Sequence, residues 1–277
     1  MKKALVVEGG AMRGIFAAGV LDKFMEENIY DFDFALGVSA GATNLSTYIA
    51  KMHGLSKKII TEYATKRDFF SPLRFVKGGH MTDVHWLWHY SKEMLNIPAP
   101  CVQGSIPLFV GITNVATGKC EYIRAHKDNI DDIIVASCAL PTAYRDQIEI
   151  NGKRYVDGGV ADAIPVIQAY KMGARELTVI LSQPVGFSKP QVKSTWLLEK
   201  MYGNQPLLLQ ALLNRATTYN ETLAFIKKPP SDCIINVIAP DEGFSVKRLT
   251  MDKHKLLKGY ALGRRMARRT IKHTECA

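Results

Sequence analysis

The chain has 277 residues, enough for one large domain or two modest ones, and about three-quarters of its unfolded surface can be buried on folding. Hydrophobic residues make up 47% and charged residues 22%, which excludes disordered and fibrous classes, and no apolar run reaches the roughly 18 residues of a membrane-spanning helix. Thirty-six Lys and Arg against 26 Asp and Glu leave a net charge of +10, which favours anionic partners without choosing between phospholipid head groups and nucleic acid.

Residues 3–7 are apolar throughout except for Lys3, as in a parallel strand covered on both faces. The run ends at Glu8 and lacks a cleavage-type sequence, so it reads as a strand and not a leader. Gly9-Gly10-Ala11-Met12-Arg13-Gly14 follows, then residues 15–27, with Phe16, Val20, Leu21, Phe24 and Met25 on one helical face. Residues 31–36 make a second strand, which breaks at Gly37-Val38-Ser39-Ala40-Gly41 and continues as a helix-like stretch. The expected start is therefore βαβ, with both glycine turns at the same edge of a parallel sheet.

Residues 57–68 read as helical, and 69–79 as an aromatic, basic loop punctuated by Pro72, Gly78 and Gly79. With Trp86, Trp88 and Tyr90 it is a flap over an acyl pocket, a membrane-touching patch or a satellite of the core. The pair His85 and His89 lacks an acidic residue at matching spacing, so no metal is expected. Residues 107–114 and 119–124 alternate as two strands, and 129–138 read as a helix. Residues 147–150 and 153–156 flank Asn151-Gly152, a strong hairpin signal, and Asp157-Gly158-Gly159 comes directly after. Residues 176–181 and 233–239 are further strands, and Asn204 with Pro206 starts an amphipathic helix running to about residue 225.

Much of the basic excess lies in residues 245–275, in Lys247, Arg248, Lys253, Lys255, Lys258, Arg264, Arg265, Arg268, Arg269 and Lys272. Leu256, Leu257, Tyr260 and Ala267 recur there at helical spacing, which gives a solvated basic face with an apolar stripe on the core; a membrane-surface role is the alternative. Cys101, Cys120, Cys138, Cys233 and Cys276 are odd in number and form no Cys-X-X-Cys pair. They are expected to be reduced thiols of a cytoplasmic protein, with neither disulfides nor zinc. No repeat, linker or composition break divides the chain, so residues 1–277 are expected to form one domain.

The chemistry centres on Ser39. A strand-to-helix turn of the form Gly-X-Ser-X-Gly, with Gly37 and Gly41, holds a serine oxygen clear of the chain and aims a helix N-terminus at the charge that develops. The turn at residues 9–14 supplies main-chain donors for an oxyanion, with Arg13 adding positive charge. A dinucleotide site competes for that turn, but its spacing is not Gly-X-Gly-X-X-Gly and no ribose-binding acid ends the second strand. His254 and His273 lie in the basic tail, whereas Asp157, leaving a strand on a glycine turn with Gly158 and Gly159, is better placed to reach a serine. A Ser-Asp dyad is the expected arrangement.

In the order Gly-Gly-Ala-Met-Arg-Gly, Gly-Val-Ser-Ala-Gly, Asp-Gly-Gly, together with Ala136-Ser137-Cys138-Ala139-Leu140-Pro141, the chain resembles the patatin-like phospholipase family, specifically its small bacterial members. The resemblance covers about residues 3–181. It implies a three-layer α/β fold with a mostly parallel sheet, and hydrolysis of a phospholipid or lysophospholipid acyl ester without cofactor. By resemblance Ser39 is the nucleophile, Asp157 the base, and Gly9, Gly10, Ala11 and Gly14 with Arg13 the oxyanion hole. A lipid substrate, peripheral contact with an anionic membrane surface and no nucleic-acid partner go with it. The family turn usually has a third consecutive glycine where this chain has Ala11, and a positive φ there would strain an alanine. The alternatives are a non-catalytic lipid-binding protein on a hydrolase scaffold and a nucleotide-binding α/β protein.

Overall fold

The structure, a computed structural model, describes residues 1–95, 106–192 and 194–275, the last four of these by backbone alone. Cys101 and Cys276 lie outside the described residues.

A sheet carries the fold, in the order β5-β6-β3-β2-β1-β7-β8, with β4 also paired to β3. Its strands are β1 Lys2–Val7, β2 Phe34–Val38, β3 Leu108–Asn114, β4 Cys120–Arg124, β5 Ile148–Ile150, β6 Lys153–Asp157, β7 Ala174–Ile180 and β8 Ile234–Ile238. The β3-β2-β1-β7-β8 run is parallel, whereas β4, β5 and β6 pair antiparallel. The β5–β6 turn is the expected one, with Asn151 at φ 52° and Gly152 at φ 72°.

Alternation along β1 assigns the two faces. Leu5 and Val7 belong to a core cluster with residues of α1 (Gly14–Glu26), α2 (Ala40–Ile49), α6 (Ile130–Cys138) and α10 (Lys253–Glu275). Ala4 and Val6 point the other way, into a cluster with α7 (Val166–Lys171) and α9 (Pro206–Lys227). Helices thus cover both faces, the three-layer α/β arrangement expected from the resemblance. Of residues 57–68, expected to be helical, only 57–63 are, in α3 (Leu55–Lys58) and one π turn (Ile59–Tyr63), and the chain turns over 64–68.

The segment 69–79 is not all loop. Ser71 caps a short helix α4 (Pro72–Val76) by accepting from Arg74 N at 3.2 Å, with Pro72 at its first position. Asp83 likewise caps α5 (Val84–Met94). Helix α8 (Trp196–Tyr202) carried no clear signal because Trp196 and Leu197 face solvent. In α10, Leu256, Tyr260 and Ala267 are buried as expected, but Leu257 is exposed, and the apolar face is completed by Leu262. Tyr260 and Arg264 tie this helix to α1 through Asp22 (2.6 Å) and Glu26 (2.5 and 2.9 Å). No helix among the described residues is long and apolar enough to cross a membrane.

Candidate active site

Strand β3 brings the two main candidates together. Pro107 O accepts from Ala35 N near the start of β2, and Val115 N donates to Arg154 O beside β6. Hydrogen-bonding groups alternate edges along a strand, so positions of equal parity share an edge: β2 and β6 occupy successive halves of the same side of β3. β2 pairs Val38 with Gly111 and leaves; β6 arrives antiparallel and pairs Asp157 with Ile112. Ser39, one residue beyond Val38, and Asp157 therefore reach the same point from opposite directions.

The junction needs a filler, because Gly111 O faces the gap where the two strands part. Ser137, fully buried at the end of α6, donates its hydroxyl to Gly111 O at 2.7 Å and accepts from Ser39 N at 2.7 Å. Gly158 must lack a side chain here, since a Cβ would lie 2.1 Å from Gly111 O. The turn at Ser39 is strained, with φ 53° and ψ −127° at the head of α2. Gly41 lets it close, because a Cβ there would stand 2.3 Å from Val7 O, and one on Gly37 would stand 2.7 Å from Ala42 N.

Asp157 is buried, at 5% exposure, and burial raises its pKa above that of an ordinary carboxyl. Arg215, the Gly159 N–H (2.7 Å), Ser39 and Arg248 pull the other way. Ser39 is thus close enough to hold the carboxylate's pKa down, without being seated in a regular hydrogen bond to it. Cys138 adjoins Ser39, but burial and then the charge of Asp157 push its thiol up to about 12, so it stays protonated and does not compete as a nucleophile. Among the described residues no histidine side chain lines the site; His254 is exposed at the start of α10, and the His273 side chain lies outside them.

The glycine turn differs in detail from expectation. Gly9 N–H is engaged by Ala163 O (3.1 Å), and Gly14 N–H turns back to Ala11 O within the turn, so neither residue supplies a free donor. Gly10 and Ala11 line the cavity with N–H groups that have no partner among the described residues, as does Ala40 at the head of α2. Arg13 folds back behind the turn, with a long contact to Gly10 O (3.4 Å) and an ion pair at 3.9 Å with the buried Glu8. It supports the turn from behind and does not face the donors.

Ala11 has φ 49°, the left-handed conformation that its glycine counterpart would adopt freely. That geometry costs an alanine roughly 1–2 kcal/mol, partly offset by the freedom glycine gains on unfolding, about 0.5–1 kcal/mol. Ala11→Gly is expected to raise the thermal midpoint by a few degrees in calorimetry and to leave kcat/KM for an acyl ester within about twofold. A tenfold loss would show that the alanine methyl holds the donors in place.

A cavity of about 330 Å³ opens from Ser39, Asp157 and the glycine turn. Its walls are largely apolar: Ile59, Ile60, Phe69, Val84, Leu87 and Ile134 among them. The aromatic segment thus divides, with Phe69 and Trp88 lining the cavity while Trp86 stacks on Tyr90 at 4.7 Å. Arg215 and Arg248 also line it, and neither was picked out as a site residue from the sequence: Arg248 was one cation of the basic tail, and Arg215 sits in an ordinary amphipathic helix. Ser137 belonged to the small-residue segment quoted above, without an assigned role.

The uncharacterized protein YjjU of Escherichia coli strain K12 is 37% identical to this chain over 272 residues, covering 94% of this chain and 74% of that protein. Among solved structures, VipD from Legionella pneumophila is 13% identical with a TM-score of 0.47, covering 98% of this chain and 67% of that one. A model for a domain of unknown function, DUF6363, matches residues 205–275. Residues 5–170, which include the end of β1, both glycine turns, Ser39 and the strand ending at Asp157, match the patatin-like phospholipase model, and the chain belongs to the patatin-like phospholipase family.

Proposed function

We propose that this protein is a serine acyl hydrolase that cleaves lipid acyl esters, of phospholipid or lysophospholipid, through a Ser39–Asp157 dyad and an acyl-enzyme. Asp157 takes the hydroxyl proton as Ser39 Oγ bonds to the ester carbonyl carbon. The carbonyl oxygen becomes an oxyanion beside the N–H groups of Gly10 and Ala11, with Ala40 N at the end of α2. Collapse of this intermediate breaks the ester C–O bond, and the departing alkoxide recovers the proton from Asp157. Water then bonds to the acyl carbon as its proton passes to the same carboxylate; the bond to Ser39 Oγ breaks, Asp157 returns the proton to the serine, and the fatty acid leaves. The scheme draws on no cofactor, and the apolar walls suit an acyl chain.

The observation that carries this reading is the meeting of β2 and β6 on one edge of β3, which directs one hydroxyl and one buried carboxylate to the same place. The exposed cations of α10, among them Lys255, Arg265, Arg268 and Arg269, suit contact with an anionic membrane surface.

Mass spectrometry after exposure to a fluorophosphonate tests the assignment. One adduct is expected, on Ser39, absent from Ser39→Ala and formed at least 100-fold more slowly by Asp157→Asn. Equal release of p-nitrophenol from a short acyl ester by the native protein and Ser39→Ala would instead favour a non-catalytic lipid-binding protein.

A further inference from the structure

Four cations converge beside the candidate dyad from four separate parts of the chain. Arg13 comes from the glycine turn, Lys189 from the segment after β7, Arg215 from α9 and Arg248 from the segment between β8 and α10. Arg215 and Arg248 line the cavity together with Asp157, and the charges of these two and of Arg13 bear on Lys189. Such crowding of like charge in a partly desolvated place is unfavourable unless counter-charge is supplied.

The protein supplies little of it. Glu8 is already used: its carboxylate accepts from Ser182 N (2.6 Å) and Tyr219 OH (2.9 Å) and meets Arg13 at 3.9 Å. Among the described residues Asp157 is the only carboxylate lining the cavity, and its Oδ1 accepts from Gly159 N. Arg215 donates Nε to Gly159 O at 2.7 Å, which fixes its guanidinium and leaves the terminal amino groups without an acceptor among the described residues. The Arg248 side chain has no hydrogen bond or ion pair among them, although its main-chain carbonyl accepts from Met12 N (3.3 Å) and ties this segment to the glycine turn. Lys189 Nζ is buried with no hydrogen-bond partner among the described residues, 4.5 Å above the Tyr219 ring.

We propose that Arg215 and Arg248 form a subsite for the phosphate of an acyl ester held at Ser39, with Arg13 and Lys189 behind them adding positive charge but no contact. This inference rests on the hydrolase reading and deepens it, and through it residues 205–275 complete the substrate site of the family domain. Guanidinium groups with free terminal donors match phosphate oxygens in geometry as well as charge. Among the described residues the lining offers no spare carboxylate for the ammonium of a choline or ethanolamine head, and Arg248 would repel one. The preferred substrate is therefore an acyl glycerol phosphate whose phosphate carries no cationic substituent. The depressed ionisation of Lys189, pushed down to about 7 by burial and then by Arg215 and Arg248, agrees with a site short of negative charge.

The test uses soluble short-chain ligands, so that surface binding plays no part. In a Ser39→Ala background, calorimetry is expected to show hexanoyl glycerol 3-phosphate binding at least tenfold more tightly than hexanoyl glycerol or hexanoyl glycerophosphocholine. Adding Arg248→Gln should remove at least tenfold of that preference, and Arg248→Lys should restore part of it. In the native protein, the ratio of kcat/KM for the phosphate ester over the neutral ester should fall by a similar factor in Arg248→Gln, whatever loss both rates share. Equal binding of the three ligands, or a preference that survives Arg248→Gln, overturns the subsite. Binding of inorganic phosphate with no preference for the phosphate ester also overturns it, because the cluster would then serve a free anion. Binding as expected without turnover of either ester supports the subsite and counts against the hydrolase reading alone.

Discussion

Asp157→Asn is expected to lower kcat for acyl-ester hydrolysis by roughly 10³-fold without weakening the fold. The amide has nearly the shape of the carboxylate and still accepts from Gly159 N, so the glycine turn after β6 keeps its anchor. What it loses is the ability to take the Ser39 proton. The effect on stability has a definite sign. Burial raises the folded-state pKa of Asp157 above 3.8, its ordinary value, so the folded protein binds this proton more tightly than the unfolded chain. Stability contributed by the group is then present at low pH and lost as pH rises from the unfolded value through the folded one, and at pH 7 the buried charge is a net cost. The Asn variant should melt at or above the native temperature at pH 7, with the difference closing toward pH 3. The same shift sets the acid limb of the native kcat/KM profile, in which activity should fall as pH is lowered through a pKa higher than 3.8 and Asp157 takes up its proton. Loss of activity accompanied by a lower melting point would assign Asp157 to the fold and not to the proton transfer.

The parts of the site legible in the sequence are those that a local backbone demand writes into residue type. Gly37 and Gly41 around Ser39, and Asn151-Gly152 before Asp157, mark turns whose geometry excludes most side chains, and each turn is where it was expected. The sheet was legible because β1 is apolar on both faces, which requires helices on both. Contacts made across long separations were not legible. Arg215 and Arg248 lie far from Ser39 in the chain, in segments whose local pattern is that of an ordinary amphipathic helix and an ordinary basic loop. The engagement of Gly9 N–H by Ala163 O was equally hidden, since a glycine-rich turn announces how many N–H groups it exposes but not which are already partnered. The short helix at Pro72 was missed for a different reason: Ser71 and Pro72 form a sound N-terminal signal, but none of the five residues of α4 is buried, so no apolar periodicity supported it.

Ser137→Ala is expected to damage stability and acylation together. The hydroxyl bridges Gly111 O and Ser39 N, each at 2.7 Å, in a fully buried position where β2 gives way to β6. Removing it orphans one donor and one acceptor, and each such group costs about 1–3 kcal/mol. A combined loss of roughly 2–6 kcal/mol corresponds to a melting point lower by about 5–20 °C for a chain of this size. The consequence for chemistry follows from the backbone at Ser39, whose φ of 53° is held only as long as its neighbours impose it. Without the bridge the turn is free to relax, and the hydroxyl moves away from Asp157. The rate of fluorophosphonate labelling of Ser39, measured well below the variant's melting point, should therefore fall by about 10- to 100-fold, since small misplacements of a reacting group are costly. An undiminished labelling rate in a destabilised variant would mean that Ser137 merely plugs the seam between the strands and that the turn keeps its own shape.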